Sequence, residues 1–130
     1  MKKDNKGFSL VELIIVIAIM AVLVGVLAPQ FIKYVEQSRR SRDIQTAQEL
    51  REACLADIAD GLITSNASRA TVSAGTFSSV TENPTIAGNL GTTHGSSFTY
   101  TCNPTQGTCS IFGAGYELSD DLAASAYKTA

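Results

Sequence analysis

Hydrophobic and polar positions divide the chain into regimes with different periods. From Phe8 to Pro29 the run is apolar on all sides, with neither helical nor strand alternation, and Glu12 stands alone near its start. Those 22 residues would reach about 33 Å as a helix, enough for a hydrocarbon core of about 30 Å. Further on, Ile44, Ala47, Leu50, Cys54, Ile58 and Leu62 recur every three or four residues, with Leu55 beside them. Arg39, Arg40, Arg42, Asp43, Glu49, Arg51, Glu52 and Asp57 are assigned to the flanks of that stripe. The pattern predicts an amphipathic helix over 30–62, continuous with the apolar run and about 80 Å long in all.

Beyond Leu62 the pattern weakens. Residues 63–97 are small and polar, with Val72, Phe77, Val80, Ile86 and Leu90 as regular apolar anchors, and predict a connecting region with one or two short strands. Residues 98–130 alternate on either side of an Asn, Pro and Gly loop, which predicts a hairpin. If Cys102 faces Cys109, then Tyr100 faces Ile111 and Phe98 faces Gly113, all on the helix side, while Thr99, Thr101 and Ser110 face out. Opposed strand residues lie within disulfide reach, so a Cys102–Cys109 bond is expected. Closing that short loop would contribute about 2.5 kcal/mol. Cys54 is then a small buried apolar residue, the rival being a Cys54 bridge to Cys102 or Cys109. Ser119 is expected to cap a short helix or turn in the tail.

Charge and composition narrow the class. At 130 residues there is room for one modest domain, and net charge is −2. The first seven residues, MKKDNKG, carry three lysines and one aspartate. No basic patch of nucleic-acid size emerges apart from Arg39, Arg40 and Arg42, so no nucleic-acid partner is implied. His94 has no ligand spacing with the cysteines, so no metal and no cofactor are expected. The alternative reading of Asp120 and Asp121 is a calcium site, for which two carboxylates supply only part of the six to eight oxygens required. Asn66-Ala67-Ser68 has the form of a glycosylation tripeptide and nothing more. With no nucleophile–base pair and no phosphate loop, an enzyme is not expected.

The apolar run has three readings: a cleaved signal peptide, a permanent anchor, or a buried core helix. It is longer than ordinary signal regions and too apolar for so small a domain to cover, which favours the spanning anchor. Lysines before it and Lys33, Arg39, Arg40 and Arg42 after it nearly balance, so charge does not set orientation. Glu12 is costly there, about 2.5–3.5 kcal/mol on insertion scales.

Gly7-Phe8-Ser9-Leu10-Val11-Glu12, between a short lysine-bearing leader and a long apolar run, resembles a type IV prepilin. The resemblance covers about Lys6 to Leu62. It implies an α+β pilin lollipop, its long N-terminal helix membrane-spanning at first, then amphipathic and packed on a small antiparallel sheet. The parts would be a leader (1–7), an anchor and filament-core helix (8–29), an amphipathic helix (30–62), a variable connection (63–97) and a small β-region with its tail (98–130). It implies cleavage between Gly7 and Phe8 by a prepilin peptidase, N-methylation of Phe8, and pairing of Glu12 with the Phe8 amine of an adjacent subunit. It also implies Gly25 to Pro29 as the stretch that loses helical order in filaments.

The partners implied are the subunit itself as a helical homopolymer, an assembly platform protein with its ATPase, and the cytoplasmic membrane before export to an extracellular pilus. Such pili serve adhesion, twitching motility, DNA uptake or surface sensing, and the sequence does not choose among these. The alternatives are a pseudopilin of type II secretion or competence, and an anchored surface protein that never polymerises.

Overall fold

The computed structural model describes residues 7–130; most of the expected leader, residues 1–6, lies outside the described residues. The chain divides into two units, with the boundary between Val35 and Glu36. In the first, α1 (Leu10–Ala59) begins at Leu10 and carries Pro29 without interruption. Every large apolar side chain of α1 from Leu10 to Leu27 is at least half exposed. It is the one helix among the described residues long and apolar enough to cross a membrane.

The second unit is α+β: the remainder of α1 lies on a four-stranded antiparallel sheet ordered β1-β2-β3-β4. The strands are β1 (Ala67–Thr71), β2 (Thr99–Asn103), β3 (Thr108–Gly113) and β4 (Tyr116–Glu117), with short helices α2 (Gly91–His94) and α3 (Asp121–Thr129). Alpha-helical geometry stops at Ala59 because Gly61 turns left-handed, with φ of 73°. Leu62 N–H then donates to the Asp57 carbonyl at 2.9 Å and Gly61 N–H to that of Ile58 at 3.1 Å. Those two bonds are a Schellman stop, and glycine carries it without a Cβ penalty. Leu62, expected on the buried stripe, falls beyond this stop and is 64 % exposed.

Ala47, Leu50 and Cys54 are buried as their spacing predicts, with Phe77, Phe98, Ile111, Leu118 and Tyr127 opposite. The connecting region's Val72, Phe77 and Ile86 also reach the core. Within it β1 pairs with β2 across a bulge between Ala67 and Ala70, where Arg69 takes a φ of 51°. Tyr100↔Ile111 and Cys102↔Cys109 pair in the hairpin as expected. Phe98 lies against Gly113, where an added Cβ would come within 3.3 Å of the ring.

Two expectations are corrected. The disulfide joins Cys54 to Cys109, Cα atoms 6.5 Å apart, and Cys102 is a free buried thiol. The hairpin register is right, but Cys109 on its inward face also meets the helix stripe, and Cys54 takes the bond. In the tail Asp120 is the cap, its carboxylate accepting from Ala123 N–H at 3.1 Å. Ser119 instead turns back to accept from Ile111 N–H at 2.9 Å.

Candidate processing and assembly site

Gly7, Phe8 and Ser9 precede the first helical residue and have no regular structure. Phe8 is 90 % exposed and nothing lies within 4 Å of where a Gly7 side chain would begin. The Gly7–Phe8 peptide bond is therefore an open, non-helical bond directly ahead of a rigid rod. A protease binds its substrate as extended backbone, and helix would hide that bond.

Ser9 and Glu12 form a reciprocal cap. Glu12 N–H donates to Ser9 Oγ at 3.2 Å, and Ser9 N–H donates to Glu12 Oε2 at 3.3 Å. This is a capping box, Ser-x-x-Glu, which satisfies two of the amide donors a helix start leaves open. The carboxylate also sits at the positive end of the helix macrodipole. Glu12 thus has a role in the single chain as well, which sequence reasoning missed although the Ser9-to-Glu12 spacing states it. Phe8 immediately precedes the cap residue Ser9.

Gly25 and Pro29 sit in one exposed turn of α1, with nothing packed against Gly25. Proline has no N–H, so the Gly25 carbonyl lacks its intrahelical donor. The helix passes through, but with one fewer bond at that turn.

In the second unit the helix stripe carries more than apolar residues. Arg40, Asp43, Ala47, Leu50, Cys54 and Asp57 are all buried, spaced alternately three and four apart. Arg40, Asp43 and Asp57 are therefore stripe residues, not flanking ones. Each charge is matched. Asp43 accepts from Ala87 N–H at 2.7 Å, Gly88 N–H at 2.8 Å and Tyr127 O–H at 2.6 Å. Arg40 donates through Nε to Glu36 at 3.0 Å, and through its two Nη atoms to the Tyr127 carbonyl at 3.0 Å and Asn89 Oδ1 at 2.9 Å. It also contacts the Ala130 carbonyl. Asp57 accepts from Ser78 N–H at 2.8 Å and from the Ser78 hydroxyl. Gly88 has no room for a side chain, since an added Cβ would strike the Tyr127 hydroxyl and lie 3.0 Å from Asp43 Oδ2. Burial first, then the bond to Asp43, raises the Tyr127 phenol above its ordinary value of 10.0. The heptad-like spacing of 36, 40, 43, 47, 50, 54 and 57 was readable, but only to a reading that admits charged residues.

Asp120 is engaged as a cap, and among the described residues no group of three or more His, Cys, Asp or Glu side chains is arranged to hold a metal.

The sequence carries the prokaryotic N-terminal methylation motif, matched over residues 2–28. It is 39 % identical over 64 residues to the type IV major fimbrial protein FimA of Dichelobacter nodosus, covering 47 % of this chain and 41 % of that protein. It is 34 % identical over 59 residues to a fimbrial protein of Pseudomonas aeruginosa, covering 45 % of this chain and 38 % of that protein. The match thus spans about two fifths of these relatives' lengths. No solved structure matches the chain.

Proposed function

We propose that this protein is a structural subunit of a type IV pilus, cleaved after Gly7, methylated on Phe8 and polymerised through its N-terminal helix. The observation that carries the proposal is an all-round apolar helix whose large side chains are at least half exposed, opening on an exposed Gly7–Phe8 bond and a capped Glu12. Methylation-motif similarity over residues 2–28 and relatives named as fimbrial proteins support it.

Before assembly the subunit rests in the cytoplasmic membrane, where the apolar segment is solvated by lipid. The capping box then gives Glu12 an internal partner, which lessens the cost of holding it near the bilayer. Cleavage after Gly7 makes Phe8 Nα an amine, methylated by the same peptidase. In the filament that amine meets Glu12 of a neighbouring subunit, so two charges neutralise each other and fix the axial step; such registry is the best-attested use of a buried ion pair. A platform protein and its cytoplasmic ATPase supply the work of extraction. Lipid contacts are exchanged for contacts between Phe8–Pro29 segments, and the turn from Gly25 to Pro29, already short of one hydrogen bond, is where the helix gives way in the polymer. The chain carries no enzymatic role in this reading.

The test is the N-terminus of the protein recovered from cells. Mass spectrometry is expected to find chains that begin at N-methyl-Phe8, in sheared extracellular filaments as well as in membranes. Chains that still begin at Met1, or that are cut near Ala28, would overturn the proposal.

A further inference from the structure

The core of the second unit holds three cysteines, and the disulfide engages two. Cys54, Cys102 and Cys109 are 0, 3 and 4 % exposed and belong to one cluster. Cys102 stands directly opposite Cys109 in the β2–β3 register. The hydrogen bonds tell which kind of opposed pair this is. Ile111 donates its N–H to Ser119 Oγ at 2.9 Å and accepts from Ser119 N–H at 3.4 Å, so both its polar groups turn away from β2. Antiparallel ladders alternate, so Cys109, two residues earlier, occupies the same kind of position. Its carbonyl accordingly accepts from Arg51 Nε at 3.2 Å instead of from the hairpin. Partners of this non-hydrogen-bonded kind have Cα atoms about 4.5 Å apart with side chains close together, within the range of about 4.4–6.8 Å that a disulfide spans. Cys109 therefore has a bonding partner on each side: Cys54 from the helix and Cys102 from the neighbouring strand.

We infer that Cys102 is an exchange thiol, and that the domain has two covalent isomers, one tying helix to sheet and one closing the hairpin. In the exchange the Cys102 thiolate attacks Cys109 Sγ. The Cys54–Cys109 bond breaks as the Cys102–Cys109 bond forms, and the electron pair leaves on Cys54 Sγ, which takes up a proton in place of the one Cys102 lost. One disulfide and one thiol stand on each side, so no oxidant or reductant is consumed. The Cys102 thiol lies 3.9 Å from the Ser65 carbonyl, in the connection between α1 and β1. The exchange replaces a crosslink of sequence separation 55 with a local one and leaves the Ala47–Leu50–Cys54 seam held by packing and by the Arg51 bond to the Cys109 carbonyl.

The experiment uses the full chain in detergent, incubated in glutathione redox buffer at about pH 8, where thiolate exchange proceeds. It is then quenched with acid, alkylated and digested with trypsin without reduction. Cleavage after Arg51, Arg69 and Lys128 separates Cys54 from the other two cysteines, which stay on one peptide. The helix–sheet isomer gives peptides 52–69 and 70–128 joined; the hairpin isomer gives 70–128 alone, internally bonded, with Cys54 alkylated. The unjoined, internally bonded peptide is expected to appear in wild type and to rise to a constant share. Cys54→Ala is expected to lose both remaining free thiols. Wild type that yields only the joined pair at every glutathione ratio overturns the inference, whether or not the variant folds. A folded Cys54→Ala that keeps two alkylatable thiols overturns it as well.

Discussion

Between Leu10 and Tyr34, α1 turns aliphatic and aromatic side chains to every side, and each large one is at least half exposed. Between Glu36 and Ala59 the same helix is far more polar, yet it carries all six of its buried positions, three of them charged. Hydrophobicity thus runs opposite to burial along one continuous element. In the proposed function the apolar half is matched to surroundings outside the chain, lipid first and then other copies. The polar half is matched to partners inside it: backbone amides at Ala87 and Gly88, the Ser78 hydroxyl, the Tyr127 phenol. The first match is non-directional and tolerant, the second directional and exacting.

The largest effect is expected where the apolar half holds its one carboxylate. Glu12→Ala should leave cleavage after Gly7 intact and reduce sheared filaments to near background, because a buried ion pair that loses one member costs about 3–5 kcal/mol per contact. Glu12→Gln separates two roles, since glutamine can still close the capping box but carries no charge. Processed but unassembled subunits from both variants would assign the effect to charge. Full assembly by the glutamine variant would assign it to the cap and remove the intersubunit pair.

Next comes Asp43→Ala in the second half. It strands two backbone amides and a phenol in the interior, with unsatisfied groups costing about 1–3 kcal/mol each, so a loss of at least about 3 kcal/mol is expected from chemical denaturation. A loss below about 1 kcal/mol would mean that water can replace the carboxylate.

These two halves were unequally legible in the sequence. The apolar run, the methylation motif at its start and the Ala47, Leu50 and Cys54 seam were plain, because each depends on local composition or a fixed period. So was the hairpin register, which any one-residue slip would have turned inside out. Arg40, Asp43 and Asp57 were read as flanking because the groups that satisfy them lie far along the chain, at positions 78, 87–89 and 127. Burial of a charge is decided by those partners, and no period reports them. The disulfide failed for a similar reason: Cys109 was correctly opposed to Cys102, but a helix residue 55 positions away reached the same sulfur. Ser119 and Asp120 are adjacent, and either can cap, so only the pull of Ile111 N–H on Ser119 decided between them. The Ser9–Glu12 box was legible throughout; it was overlooked because an acid in an apolar run draws attention to what lies outside the helix.

A smaller effect is expected from Tyr127→Phe, which removes the hydrogen bond to Asp43 and keeps the ring, at a cost of about 1–2 kcal/mol at neutral pH. It also carries a pH signature. The folded protein holds the Tyr127 proton beyond its ordinary value of 10.0, through burial and then through Asp43. The folded state therefore binds more protons than the unfolded one above pH 10, so this contribution is complete below that value and declines as pH rises through the raised folded value. Tyr100 is raised in the same direction by burial and then by Cys102, so the variant should lose part of the alkaline slope and not all of it. Melting curves from pH 8 to 11 read the difference; an unchanged slope would show that Tyr127 ionises equally in both states.

The smallest effect, Ile17→Ala, tests the comparison most directly because its size should depend on the state of assembly. Ile17 is 54 % exposed, and the remaining shielding comes from its own helix, so truncation opens no cavity within the chain. Unfolding of the Glu36–Ala130 unit in detergent should change by less than about 0.5 kcal/mol, as for ordinary surface positions. In the proposed filament the same side chain would pack between subunits, and removing it should cost about 2–5 kcal/mol per site, the range for a truncated core isoleucine. Filament dissociation in detergent, measured beside domain unfolding, reads both numbers from one variant. Equal small effects in both states would mean that lipid or water still bathes this position in the polymer, and the apolar half would then lack the partner its exposure calls for.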